Sequence, residues 1–103
     1  MGYKLRVSED ASQELDEILE YIAGKLKNRE AALAFLDELE EKYRLVCENP
    51  EMYEKVRDMR LAMKGYRKIP VKNYVILYRI ENERKEIQVN GIFYGGRDYG
   101  KYL

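Results

Sequence analysis

The chain has 103 residues, 46% hydrophobic and 37% charged, with 19 Lys and Arg balanced by 19 Asp and Glu, one Cys and no His. That length suits a single domain over 1–103 with a real core, and apolar runs such as residues 74–78 are far below the roughly 20 residues a membrane helix needs. Without His or a Cys pair, a Ser-His-Asp triad, a Cys-His pair and the common zinc sites are excluded.

Residues 3–7 alternate and read as a strand with Leu5 and Val7 on one face. The opening Met-Gly-Tyr-Lys-Leu-Arg has no apolar signal core, so a cytoplasmic location is expected. Ser8 to Asp10 reads as a helix start, with Asp10 and Gln13 as the capping pair. Ala11, Leu15, Ile18, Leu19, Ile22 and Leu26 then recur at helical spacing as one apolar stripe opposite an acidic face, and Gly24 weakens the last turn. Asn28 caps a second helix that runs to about Glu48, because Asn49-Pro50 disfavours continuation. Its stripe is Ala32, Phe35, Leu36, Leu39, Tyr43 and Val46, and the short connection makes the two helices an antiparallel hairpin on one face of a sheet. The lone Cys47 reads as a small buried hydrophobe in a reducing compartment.

Residues 51–63 have no clean period and read as a loop or short irregular helix, with Met52, Tyr53 and Val56 packing beneath the sheet. Residues 66–71, 73–80 and 86–94 are rich in β-branched and aromatic side chains, and the polar residues 81–85 give a hairpin signal between the last two runs. The run 73–80 is apolar on both faces apart from Arg79, the pattern of a central strand covered on each side. Gly91 interrupts the last run and marks a bulge or a close backbone approach. The expected fold is α+β in the order β-α-α-β-β-β, a helical hairpin on a mainly antiparallel sheet.

The zero net charge hides a division. Residues 1–63 hold 10 Lys and Arg against 15 Asp and Glu, and residues 64–103 hold 9 against 4, so the halves carry −5 and +5. A basic sheet half can steer toward phosphate or an acidic protein. Any hydrolytic chemistry must use Lys, Arg and Tyr. Cleavage of RNA through its own 2′-hydroxyl needs a proton acceptor, a donor for the leaving oxygen and a phosphate clamp, and Arg67, Lys68, Arg97, Tyr99 and Tyr102 are the catalytic candidates. Cations interleaved with Tyr serve equally well to stack on bases or grip an acidic protein. The target-binding set is Lys64, Arg67, Lys68, Lys72, Tyr94, Arg97 and Tyr99, with no metal or cofactor expected.

The order of elements, with Gly65-Tyr-Arg-Lys-Ile, Asn73-Tyr-Val-Ile-Leu-Tyr-Arg-Ile and Ile92-Phe-Tyr-Gly-Gly-Arg-Asp-Tyr99, resembles the RelE/ParE superfamily of bacterial toxins over nearly the whole chain. Leu15-Asp-Glu-Ile-Leu-Glu-Tyr-Ile-Ala23 is similar to a segment of that family's first helix. The resemblance implies a growth-inhibiting toxin of the plasmid stabilisation type. Such a toxin is neutralised by a cognate antitoxin that lays an extended or helical segment across it, in a toxin-antitoxin hetero-oligomer. RelE-like members cut messenger RNA on the ribosome without a metal, whereas ParE-like members inhibit DNA gyrase. Where nuclease members usually carry Arg in the central strand this chain has Val75, and where some carry His it has Tyr94. Gly95-Gly-Arg-Asp-Tyr99 resembles the ParE-like ending, so the gyrase branch is the leading expectation. The alternatives are a RelE-like ribosome-dependent nuclease and a non-toxic module that binds an antitoxin.

Overall fold

The computed structural model describes residues 2–95 and 103. Strand β1 (Lys4–Val7) leads into helix α1 (Glu9–Glu20), a π-helical turn (Tyr21–Lys25), α2 (Arg29–Glu48) and a short α3 (Met59–Met63). The meander β2 (Arg67–Val71), β3 (Tyr74–Glu81) and β4 (Glu86–Tyr94) follows. This is the expected α+β order with one short helix added. The sheet order is β1-β4-β3-β2; the meander pairs antiparallel, and β1 joins the edge parallel to β4.

Local chemistry explains the helix ends. Ser8 caps α1, its Oγ accepting the Ala11 N–H at 3.0 Å. The cap is therefore Ser8 rather than the expected Asp10, because Ser8 is the residue with extended backbone. Asn28 caps α2 as expected, its side-chain oxygen 3.0 Å from Ala31 N. The Leu26 N–H reaches back five residues to the Tyr21 carbonyl at 3.0 Å. That wide turn adds a residue to the helix and rotates its apolar stripe out of phase. Leu26, expected on the buried stripe, is consequently 55% exposed.

Helix α3 is better defined than its sequence suggested. Asp58 accepts the Leu61 N–H at 3.0 Å, and Gly65, at φ +91°, closes the other end. The Gly65 N–H bonds the Ala62 carbonyl and the Tyr66 N–H bonds the Leu61 carbonyl, a Schellman arrangement that requires the left-handed backbone glycine tolerates.

Each face of the sheet has its own core. On one face Ile69, Val71, Ile76, Tyr78, Ile87 and Val89 pack against Ala11, Ile18, Phe35, Leu39 and Val46 of the helical hairpin. On the other, Val56, Leu61, Tyr66, Leu77 and Phe93 form a second cluster joined by Val75 and Leu103. The three side chains expected beneath the sheet separate: Tyr53 joins the helix-side core, Val56 the opposite one, and Met52 is largely exposed. Cys47 is half-buried against the helix-side core, and burial pushes its thiol pKa up. Between Leu77 and Tyr78 the register with β4 slips by one residue, so Asn90 and Gly91 form the bulge that the glycine marked. The Phe93 ring lies directly over Gly91, where a β-carbon would come within 2.4 Å of it.

Among the described residues, no helix is long and apolar enough to cross a membrane.

Candidate functional site

Alternation along β2 divides the predicted cations. Ile69 and Val71 face the helices, and Arg67 shares their side, whereas Lys68 points to the other face opposite Leu77. The Arg67 guanidinium is half-buried and donates to the Tyr53 carbonyl at 2.6 Å. Its neighbour across the ladder, Tyr78, donates to the Pro50 carbonyl at 2.7 Å. Burial first of all pushes the Tyr78 phenol pKa up to about 12. Arg67 and Tyr78 thus pin the connection between α2 and α3 onto the sheet. Tyr43, whose hydroxyl is buried without a hydrogen-bond partner among the described residues, is likewise shifted upward by burial.

Lys72 and Tyr94 lie at the opposite end of the sheet. Five residues of extended chain put Lys72 about 17 Å from Arg67. Lys72 occupies the β2–β3 turn at φ +53°, and its Nζ lies 3.3 Å from a Glu38 oxygen on α2. The other Glu38 oxygen lies 3.0 Å from Lys42, whose ammonium also donates to the Pro70 carbonyl. The Lys42 hydrogen bond, helped by Lys72 and opposed by partial burial, holds the Glu38 carboxyl below its ordinary range. Tyr94 meets Tyr74 edge to face at 5.8 Å, and Tyr74 meets Phe35 in the same way at 5.4 Å. Together with Tyr21, Ile22 and Leu26 these rings line an apolar groove of about 550 Å³ at the closed end of the helical hairpin. A second groove of about 510 Å³ runs between α1 and β4, where Glu14 accepts the Ile92 N–H at 3.0 Å.

The sheet face away from the hairpin carries a second set of cations. The Arg79 guanidinium lies over the Tyr66 ring, 5.1 Å from its centroid, and the Asn90 amide donates to the Tyr66 hydroxyl at 3.2 Å. In register beside Arg79 are Gln88 on β4 and, beyond it, Arg6 on β1. Arg6 is 3.9 Å from Glu86, a loose pair in which the arginine is mostly exposed and the Glu86 side chain largely covered. Lys68 is on this face, and the exposed Lys64 ends α3, which rests on the same face through Leu61.

Of the predicted residues, then, Lys64 and Lys68 belong to the open side, Arg67 and Lys72 face the helices, and Tyr94 borders the apolar groove. Arg97, Tyr99 and Tyr102 lie outside the described residues. Arg6 and Arg79 were not in the predicted set. The signal for Arg79 was its lone charge in an otherwise apolar strand; Arg6 had none, because its place follows from the β1–β4 pairing. Guanidinium and ammonium groups on a flat, partly open sheet can hold carboxylates or phosphates. The central position of that sheet is different in kind: Val75 pairs with Phe93 and packs into the second core. Among the described residues there is no cluster of three or more His, Cys, Asp or Glu able to hold a metal ion.

The sequence profile of the family described as ParE toxin of type II toxin-antitoxin system, parDE, matches residues 5–99. No curated protein matches the chain significantly. Among solved structures, the fold is similar to the chromosomal ParDE toxin-antitoxin system from P. aeruginosa, with a TM-score of 0.70 and 19% identity over 89% of this chain and 95% of that one. The intact E. coli RelBE toxin-antitoxin complex is similar with a TM-score of 0.61 and 22% identity over 92% of this chain and 99% of that one. A mutant of E. coli toxin RelE in complex with a peptide of its antitoxin gives a TM-score of 0.65 and 19% identity over 100% and 96% of the two chains.

Proposed function

The chain belongs to the ParE toxin family of type II toxin-antitoxin systems, and from that membership we propose that it inhibits DNA gyrase and is neutralised by a cognate antitoxin. The solved relatives include toxins bound to their antitoxins, which supports a protein antidote as the physiological partner. The observation that carries the gyrase branch over the nuclease branch is the apolar packing around Val75. A metal-independent nuclease needs fixed positive charge at the phosphate that passes through the transition state, and the loss of one such group costs on the order of 100-fold or more in rate. At the position where nuclease members usually carry Arg, this chain has a β-branched side chain in contact with the Phe93 and Leu77 cluster. That surface is suited to packing and supplies no charge to an oxyanion.

The cations on the same face of the sheet, Lys68, Arg79 and Arg6, suit the gripping of an acidic macromolecular surface. The test pairs two assays on the same purified protein. Supercoiling of relaxed plasmid by gyrase is expected to fall as the protein is added, while messenger RNA in a translating extract stays intact. Ribosome-dependent cleavage with normal supercoiling would move the protein to the RelE-like reading. No growth defect on expression, together with tight antitoxin binding, would leave the non-toxic binding module.

A further inference from the structure

We infer that the outer side of α3, with the cations around it, is the surface that docks the toxin's protein target, and that the complementary target surface is acidic with apolar side chains at its centre. The inference rests on the reading of the chain as a toxin with a protein target.

The geometry is simple. Leu61 is fully buried in the second core. Met59 and Met63 are each two residues from it along a helix, about 200° around the axis, so anchoring Leu61 turns both methionines outward. They are four residues apart, on one face of the helix, and form a single knob. At 76% and 83% exposure they are the most exposed large apolar side chains among the described residues. The short helix that carries them is held rigidly by the Asp58 cap, the Schellman closure at Gly65 and the Leu61 anchor. A knob already in its bound geometry loses little further freedom on association.

Charge identifies the partner. Residues 55–68 contain six Lys and Arg and one acid, Asp58. The Asp58 carboxylate is engaged as the helix cap. Lys55, Arg57 and Lys64 are exposed around the knob, and Lys68 and Arg79 continue the positive surface onto the open sheet face. Arg60 also borders it, donating to the Leu103 carbonyl at 3.4 Å. A cationic rim calls for carboxylates or phosphates, but a phosphate backbone offers nothing apolar to two thioethers. Methionine packs adaptably against apolar protein surface, and an apolar centre within a polar rim is the usual anatomy of a protein interface. The combination favours an acidic protein surface over nucleic acid.

The experiment uses the full chain and two surface variants, Met59→Ser/Met63→Ser and Arg57→Glu/Lys64→Glu, with Leu33→Ser on α2 as a control for loss of exposed apolar surface elsewhere. Each is assayed for inhibition of purified gyrase, growth arrest on expression, affinity for the antitoxin and for a short DNA duplex, self-association by light scattering, and thermal melting. Both surface variants are expected to need about tenfold more protein for half-inhibition, the loss that follows from truncating an anchor or reversing its rim. Growth arrest should weaken in step, with melting and antitoxin affinity unchanged and the control like wild type. Undiminished inhibition overturns the inference. So does a loss confined to antitoxin affinity, to binding of a short DNA duplex, or to self-association, since each assigns the surface to another occupant. If wild type itself leaves gyrase untouched, the gyrase reading falls and growth arrest decides the surface: arrest lost in the variants upholds it, and arrest retained overturns it.

Discussion

Replacing Arg67 by alanine separates a structural from a target-binding role at a position whose residue type suggested the latter. The guanidinium donates to the Tyr53 carbonyl at 2.6 Å from a half-buried site. A hydrogen bond from a charged donor contributes roughly 1.5–3 kcal/mol, and the lower end applies here because water can reach the carbonyl once the side chain is removed. The backbone contacts between Lys55 and Arg67, and between Glu54 and Lys68, hold the same connection and survive the change. The expected cost is therefore about 1.5 kcal/mol, a fall in melting temperature of about 6–12 °C for a domain of this size. Lys68→Ala, which removes a side chain from the open face, should change stability by no more than about 0.5 kcal/mol. The assay is thermal and urea unfolding of both variants followed by far-UV circular dichroism, set beside growth arrest at two temperatures. Arg67→Ala should recover toxicity at the lower temperature, where most of it is folded, and Lys68→Ala should lose part of its toxicity at both. Wild-type melting of Arg67→Ala combined with complete loss of toxicity would refute the reasoning and return Arg67 to the target-binding surface.

Two further substitutions test the interior. Tyr78→Phe, which removes the hydroxyl that reaches the Pro50 carbonyl at 2.7 Å, should cost about 1 kcal/mol. Because burial raises the folded-state phenol pKa to about 12 from 10.0, the folded protein keeps this proton longer than the unfolded chain. Its contribution is complete below pH 10 and is lost by roughly 2–3 kcal/mol as pH rises through 12; urea unfolding across that range should decline less steeply for Tyr78→Phe, and equal slopes would contradict the assignment. Gly91→Ala puts a β-carbon 2.4 Å from the Phe93 ring and should cost about 1–3 kcal/mol as the ring leaves its place beside Leu77 and Val56; a chemical-denaturation midpoint equal to wild type would mean that the ring moves aside freely.

Features governed by neighbours a few residues apart were legible in the chain. Asn28 and Asn49-Pro50 bound α2, and its stripe of Phe35, Leu39 and Val46 is buried as the spacing requires. The hairpin between β3 and β4 and the bulge at Gly91 also follow from local pattern. The ends of α3 were written too, in Asp58 and in Lys64-Gly65, but a five-residue helix has too few turns to display a period.

What pairing across the fold decides could not be read this way. The alternation of Arg67 and Lys68 is a property of any strand, yet which of them meets a helix and which the open face depends on where α2 and α3 pack. Arg6 reaches the row of Gln88 and Arg79 only because β1 pairs with a strand about eighty residues away. Caps and periods arise from contacts within about one helical turn, so the residues that encode them stand in the chain whatever it later pairs with. The side on which a charge emerges is set by strand register and layer order, which exist only once the two cores have closed around the sheet.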